Sequence, residues 1–151
     1  MYDMSNSQRC NLIEMISSEI EIRVRYSETD QMGFVYYGNY AAYYEVGRVE
    51  ALRKFGIEYA TLEEEYGIWM PVTSMQIRYL RPARYDALIV VKTTLRKLPE
   101  KFITFDYEVK NQKGELLNAA TVRLCFIDAK TQKQVLTPIH IVDLLRKHFE
   151  D

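Results

Sequence analysis

Residues 19–26 alternate between charged and apolar side chains. Ile20, Ile22, Val24 and Tyr26 fall between Glu19, Glu21, Arg23 and Arg25. A period of two puts one set on each face of an extended chain and predicts a half-buried strand. Residues 27–33 favour loop or turn, and a short apolar run, 34–37, leads to Gly38 and Asn39. From 39 to 55 the period is helical: Tyr40, Tyr44, Gly47, Ala51 and Phe55 share a face, flanked by Tyr43 and Leu52. Gly38 or Asn39 suits the N-cap and Gly56 the far end. A glycine inside a helix costs about 1 kcal/mol relative to alanine, so Gly47 predicts close approach of this helix to a sheet. A short helix over 62–66 follows, with Thr61 and Glu64 as a capping box and Gly67 as its stop.

The remainder reads as strands. Residues 69–80 place Met75, Ile77 and Tyr79 on one face; 87–98 are apolar enough for a central strand; 102–110 alternate cleanly. The turn at 111–114 predicts a hairpin into a strand over 115–128. Thr137 and Pro138 then open a C-terminal helix with Ile139, Val142, Leu145 and Phe149 along one stripe. Short connections between the last four strands favour antiparallel pairing, so the class is α+β: one long helix against one curved sheet. Residues 19–151 form one domain, preceded by an extension, 1–18, that fits an appended helix, a mobile arm or an over-extended start.

Composition adds limits. Twelve tyrosines among 151 residues suit pocket or interface linings as well as strands. The net charge of −1 gives no global pull toward nucleic acid or anionic membrane, so a phosphate-bearing ligand needs a local basic patch. Cys10 and Cys125 are far apart, and His140 and His148 match no common metal spacing and read as exposed helix residues. No segment has the roughly 20 apolar residues of a membrane span, and the N-terminal stretch lacks an apolar signal core. A cytoplasmic protein without integral membrane association is expected.

The segment 26–40, with Asp30, Gly33, the apolar pair Phe34 and Val35, the aromatics Tyr36 and Tyr37, and then a helix start, resembles the active-site loop of the 4-hydroxybenzoyl-CoA thioesterase-like hotdog proteins, including the Tol-Pal-associated thioesterases. The likeness continues through Tyr44, Glu45 and Arg48, and through Met70 to Val72 and Tyr79 to Ala83. It implies a hotdog fold, a long central helix wrapped by a five-stranded antiparallel sheet, and hydrolysis of acyl-CoA thioesters without metal or cofactor. It also implies a homodimer or homotetramer with sites at a subunit boundary.

Asp30 is then the catalytic carboxylate, as nucleophile or as general base toward water. The resemblance implies that the backbone N–H groups of Tyr37, the main donor, and Gly38 polarise the thioester carbonyl, which agrees with the unpaired donors and partial positive charge of a helix start. Capping of a turn is the competing reading of Asp30. Gly33 supplies the loop geometry. Tyr36, Tyr40 and Tyr44 are acyl-pocket candidates, although aromatics at helical spacing are more often core. Arg81, Arg84 and Lys101 are candidates for coenzyme phosphates, with Arg78 and Lys97 nearby. Glu45 and Arg48 can pair on the helix surface, and Glu28 reads as an exposed loop carboxylate.

One departure separates this chain from the Tol-Pal-associated pattern: Tyr37 stands where those proteins carry a histidine, and no histidine lies near the loop. Asp30 must work with backbone donors, water and tyrosine hydroxyls. The rival readings are an acyl-carrier-protein thioesterase and a non-catalytic acyl-CoA-binding module. A dehydratase of this fold would need a histidine.

Overall fold

The computed structural model describes residues 15–150. Its first strand, β1 (Ile16–Arg23), starts earlier than the alternation suggests, because Ile16 and Ser18 also turn inward. Tyr26, expected on the inner face, instead lies in a 3₁₀ turn (Tyr26–Glu28) and is exposed. A second 3₁₀ turn (Tyr37–Asn39) feeds the long helix α1 (Tyr40–Lys54), followed by α2 (Tyr59–Glu64). Glu58, not Thr61, is the cap of α2, and Thr61 lies inside it, its carbonyl accepting the Glu65 N–H.

The expected strand at 69–80 is broken. It divides into β2 (Ile68–Trp69) and β3 (Val72–Tyr79) around Pro71, whose ring removes a ladder donor. Then come β4 (Leu88–Leu95), β5 (Phe102–Lys110), β6 (Leu116–Asp128), β7 (Gln134–Val135) and α3 (Ile139–Phe149). Five long antiparallel strands run in the order β1-β4-β5-β6-β3, and the two-residue β2 and β7 pair with the far end of β6. The hairpin turn at 111–114 forms as expected, with Asn111 Oδ1 accepting the N–H groups of Lys113 and Glu115 at 3.0 Å each.

The sheet curves around α1, which is the hotdog arrangement. Tyr40, Tyr43, Tyr44, Gly47, Arg48, Ala51 and Leu52 are the buried face of the helix. The close approach predicted at Gly47 is present: a Cβ there would lie 2.7 Å from Thr93 Oγ1 and 3.0 Å from Val91 Cγ1 of β4. Arg48 is 6% exposed and does not pair with Glu45; it donates from Nε to the Tyr59 hydroxyl at 3.0 Å and from Nη1 to the Tyr107 hydroxyl at 3.2 Å. Burial works against its charge, and the two phenol oxygens more than offset this. On α3 the buried stripe is Ile141, Leu145 and Phe149, while Ile139 points to solvent. His140 stacks on Tyr66 with ring centroids 4.0 Å apart, and His148 packs against Phe55.

The phenols inside this core make alkaline stability a measurable consequence. Burial, then the neighbouring Arg48 acting in the opposite direction, leaves the Tyr107 phenol pushed up to about 12, and burial raises Tyr43 and Tyr44 further. Unfolded tyrosines ionise near pH 10. The unfolded chain therefore releases these protons first, so stability is complete below about pH 10 and falls as the pH climbs from there through the folded values. Urea midpoints are expected to stay level from pH 8 to 9.5 and to drop steadily above pH 10. A midpoint flat to pH 12 would mean that these phenols are not protected.

Candidate active site

The loop between β1 and α1 is a tight turn tied to its neighbours. Asp30 N–H donates to the Phe34 carbonyl at 2.7 Å, Gly33 N–H to the Asp30 carbonyl at 3.0 Å, and Thr29 bridges Val35. Gly33 has φ +80°, a left-handed conformation that costs glycine little. The half-buried Asp30 carboxylate uses one oxygen in this turn: Oδ1 accepts the N–H groups of Met32 at 2.9 Å and Phe34 at 3.2 Å. Among the described residues no donor reaches Oδ2. Turn-capping and availability for chemistry thus coexist in one side chain, divided between its two oxygens.

The second half of the loop is fastened through Glu28. Its carbonyl accepts the Tyr36 N–H at 2.9 Å and Asn39 Nδ2 at 2.7 Å, and its carboxylate accepts the Arg25 N–H at 2.8 Å. Asn39 therefore spends its side chain on the loop and does not cap α1. Asn39 and Tyr40 donate their N–H groups to the carbonyls of Tyr36 and Tyr37. The N–H groups of Tyr37 and Gly38 have no acceptor among the described residues. They remain as donors at the N-terminal end of α1, where the helix dipole adds partial positive charge.

Asp30 lines a cavity of ≈ 310 Å³ with Met32, Phe34, Tyr37, Tyr40, Tyr79 and Leu80, closed by Val35, Arg81 and Pro82. Tyr79 donates from its hydroxyl to the Tyr37 carbonyl at 3.3 Å and leaves 49% of its surface exposed. The Arg84 guanidinium lies 4.8 Å from the Phe34 ring centroid, and Arg81 pairs with Glu115. The lining is mainly apolar and aromatic, with a carboxylate, two free N–H groups and arginines at its margin, a composition suited to a flexible apolar group with a polar head.

Of the residues singled out from the sequence, the cavity gathers Asp30, Tyr37, Tyr40 and Arg81, and Gly33, Gly38 and Arg84 stand beside it. Tyr36 packs against Tyr37 outside the cavity, with centroids 4.8 Å apart and the rings tilted by 50°. Tyr44 is in the core, its hydroxyl bonded to Asn118 Oδ1. Lys101 and Lys97 line a separate depression with Phe102 and Arg123, so neither is brought to Asp30 within one chain. Sequence reasoning missed Met32, Leu80, Pro82 and the amide of Asn118. The last had a signal: Asn118 is a polar residue in an inward-facing row otherwise made of Ala120, Val122, Leu124 and Phe126. Cys125 is buried and Cys10 lies outside the described residues. No helix of the described residues is long and apolar enough to cross a membrane.

Comparison with known proteins places these features in a family. The model of the Thioesterase superfamily matches residues 32–118. The acyl-CoA thioester hydrolase YbgC of Escherichia coli is 31% identical over 121 residues, covering 80% of this chain and 90% of its own length. The acyl-CoA thioesterase YbgC of Haemophilus influenzae is 31% identical over 117 residues, covering 78% and 85%. Among solved structures, a DHNA-CoA thioesterase from Staphylococcus aureus superposes with a TM-score of 0.80 at 34% identity, over 89% of each chain.

Proposed function

The chain belongs to the thioesterase superfamily, and we propose that it hydrolyses an acyl-CoA thioester to the free acid and coenzyme A with Asp30 as the catalytic carboxylate. The observation that carries this is the division of labour at Asp30. Oδ1 is anchored in the turn and Oδ2 has no partner, on a side chain that lines the same cavity as Tyr37, whose unpaired N–H lies beside that of Gly38 ahead of α1. The thioester carbonyl oxygen accepts from Tyr37 and Gly38, and these donors strengthen as negative charge builds on it in the tetrahedral intermediate. In the general-base route Asp30 takes a proton from water, whose oxygen attacks the carbonyl carbon. The intermediate then expels the coenzyme thiolate, which recovers the proton. In the nucleophilic route Oδ2 attacks, the thiolate leaves, and water cleaves the resulting anhydride. The coenzyme phosphates pass Arg84 and Arg81 at the cavity margin.

The active form is a homodimer joined along β3. This strand is the edge of the sheet; Val72, Met75 and Tyr79 on it are each about half exposed, and Tyr79 also lines the cavity. An open edge carrying apolar side chains invites pairing with a second copy.

Thiol release from a panel of aliphatic and aromatic acyl-CoAs, run beside acylated carrier protein, tests the reaction. Turnover of at least one CoA ester is expected. Tight acyl-CoA binding with no thiol release would make the protein a binding module, and turnover confined to carrier-protein esters would move its substrate. Sedimentation velocity on wild type and Met75→Glu tests assembly: the wild type is expected as a dimer or larger and the variant shifted toward monomer.

A further inference from the structure

The donors proposed to hold the thioester carbonyl are peptide N–H groups, and a trans peptide is planar with its N–H and C=O pointing opposite ways. Whatever grips the Tyr36 carbonyl therefore aims the Tyr37 N–H, and whatever grips the Tyr37 carbonyl aims the Gly38 N–H. The Tyr37 carbonyl is held twice, by the Tyr40 N–H and by the Tyr79 hydroxyl at 3.3 Å. The Tyr36 carbonyl has a single partner among the described residues, the Asn39 N–H at 2.9 Å.

The Asn39 side chain fixes that grip. Its Nδ2 donates to the Glu28 carbonyl at 2.7 Å, and the same oxygen accepts the Tyr36 N–H at 2.9 Å. Together with the Asn39 N–H on the Tyr36 carbonyl, these bonds close a ring through the backbone of Tyr36. The anchor is itself tied down: the Glu28 N–H donates to the Arg25 carbonyl at 3.0 Å, and its carboxylate accepts the Arg25 N–H at 2.8 Å. Helix capping does not account for the arrangement. A capping asparagine turns its side-chain oxygen onto an N–H of the first turn. Asn39 already has helical angles, φ −73° and ψ −18°, makes no side-chain cap bond, and reaches back across 11 residues with its nitrogen. Nor does stability alone account for it. Without Nδ2 the Glu28 carbonyl still has the Tyr36 N–H, so the cost to folding is about 1 kcal/mol.

On the thioesterase reading above, we propose that Asn39 is a positioning residue for the reaction: its Nδ2 holds the Tyr36–Tyr37 peptide in the orientation that presents the Tyr37 N–H to the thioester carbonyl. Asn39 does not line the cavity, so it acts on the substrate only through that N–H. A preorganised donor matters most where charge builds up in the transition state, and loss of a whole oxyanion donor costs about 10²–10³ in kcat. A donor left in place and wrongly aimed loses part of that.

The test compares wild type with Asn39→Ala and Asn39→Leu, two removals of the donor with different packing consequences. The probe is whichever of acetyl-, hexanoyl-, palmitoyl- and benzoyl-CoA the wild type turns over fastest. Both variants are expected to fold, to lower kcat by about ten-fold or more, and to keep KM within about two-fold. The direct readout is the isotope-edited infrared stretch of the thioester carbonyl, taken on the same ester bound in the Asp30→Asn background. With Asn39 present the stretch is expected below that of the ester in water, and each substitution at Asn39 is expected to move it back up. A bond that only fastens the loop would lower the thermal midpoint and leave kcat and the stretch of the folded protein unchanged. Wild-type kcat in either variant overturns the assignment, as does a lowered kcat with an unmoved stretch. Failure of both variants to fold overturns it too, since the bond is then structural. Failure of the wild type to hydrolyse all four esters is a different result, seen before any variant is made: it counts against the thioesterase reading itself, and the role of Asn39 falls with it.

Discussion

Asp30→Asn is expected to lower kcat for thioester hydrolysis by about 10²-fold or more while leaving the protein folded and able to bind substrate. The expectation comes from the two different duties of the carboxylate oxygens. An asparagine keeps an acceptor at Oδ1, so the N–H groups of Met32 and Phe34 retain their partner and the turn keeps its shape. What it loses is the charged, basic oxygen at Oδ2, which in the proposed mechanism is the nucleophile or the proton acceptor from water. A loss of 10² corresponds to about 2.7 kcal/mol of transition-state stabilisation, the scale of one positioned general base. Asp30→Ala removes both duties and should add a loss of stability of about 1 kcal/mol from the uncapped turn. The paired comparison separates chemistry from architecture: equal thermal midpoints for wild type and Asp30→Asn, with a lower one for Asp30→Ala, alongside inactivity in both. An Asp30→Asn variant with wild-type kcat would remove Asp30 from the reaction and leave it as a turn residue.

The fold was readable from the chain because its strands are one-sided or central and its helix is one-sided. Alternation in 102–110 and the helical stripe from Tyr40 to Phe55 follow from burying one face against the other element. Local chemistry was equally readable: Gly33 and Asp30 specify their turn with their nearest neighbours, and Gly47 announces a close packing partner without naming it. What failed did so for identifiable reasons. The division of 69–80 rests on Pro71, which was read as lying within a strand. The burial of Arg48 was hidden because a charge on a helix is ordinarily solvated; here two phenols, from α2 and from β5, replace water and no carboxylate is involved. The cavity wall depends on Tyr79, Leu80 and Pro82 meeting Asp30 and Tyr40 across some 40 to 50 residues of chain. Nothing in local spacing encodes such a meeting. Asn118 was legible only as an exception, a polar residue in an inward row, and its partner, the Tyr44 hydroxyl, lies 74 residues away in the chain.

Enlarging Gly47 is expected to produce the largest loss of stability among single substitutions in α1, about 3 kcal/mol or more for Gly47→Val. Alanine at an ordinary helix interior gains about 1 kcal/mol over glycine. At this position the new Cβ would stand 2.7 Å from Thr93 Oγ1 and 3.0 Å from Val91 Cγ1, with Tyr107 Cε1 at 3.8 Å. Neither β4 neighbour yields easily. Thr93 and Val91 are β-branched with stiff χ1 angles, both are almost wholly buried, and their strand is paired on both edges by β1 and β5. The helix must lift away from the sheet, which opens the contacts of Tyr44, Ala51 and Leu52 beside it. We expect Gly47→Ala to lose about 1 kcal/mol net of its propensity gain, and valine's added methyl groups to deepen the clash. Urea unfolding reads both. A double-mutant cycle identifies the cause: Thr93→Ala removes an unpaired hydroxyl together with one buried methyl, and measured against Thr93→Ala as its background, Gly47→Ala should recover about 1 kcal/mol of the loss. Recovery would locate the strain at that one oxygen. Gly47→Ala more stable than the wild type would show instead that the seam between helix and sheet can move apart at little cost. Because the 3₁₀ turn holding Tyr37 and Gly38 runs directly into α1, thiol release by the folded fraction of Gly47→Ala then reports whether that movement reaches the N–H groups proposed to bind the carbonyl. A rigid lift of α1 lowers kcat through those donors, and a local bend at residue 47 leaves kcat unchanged.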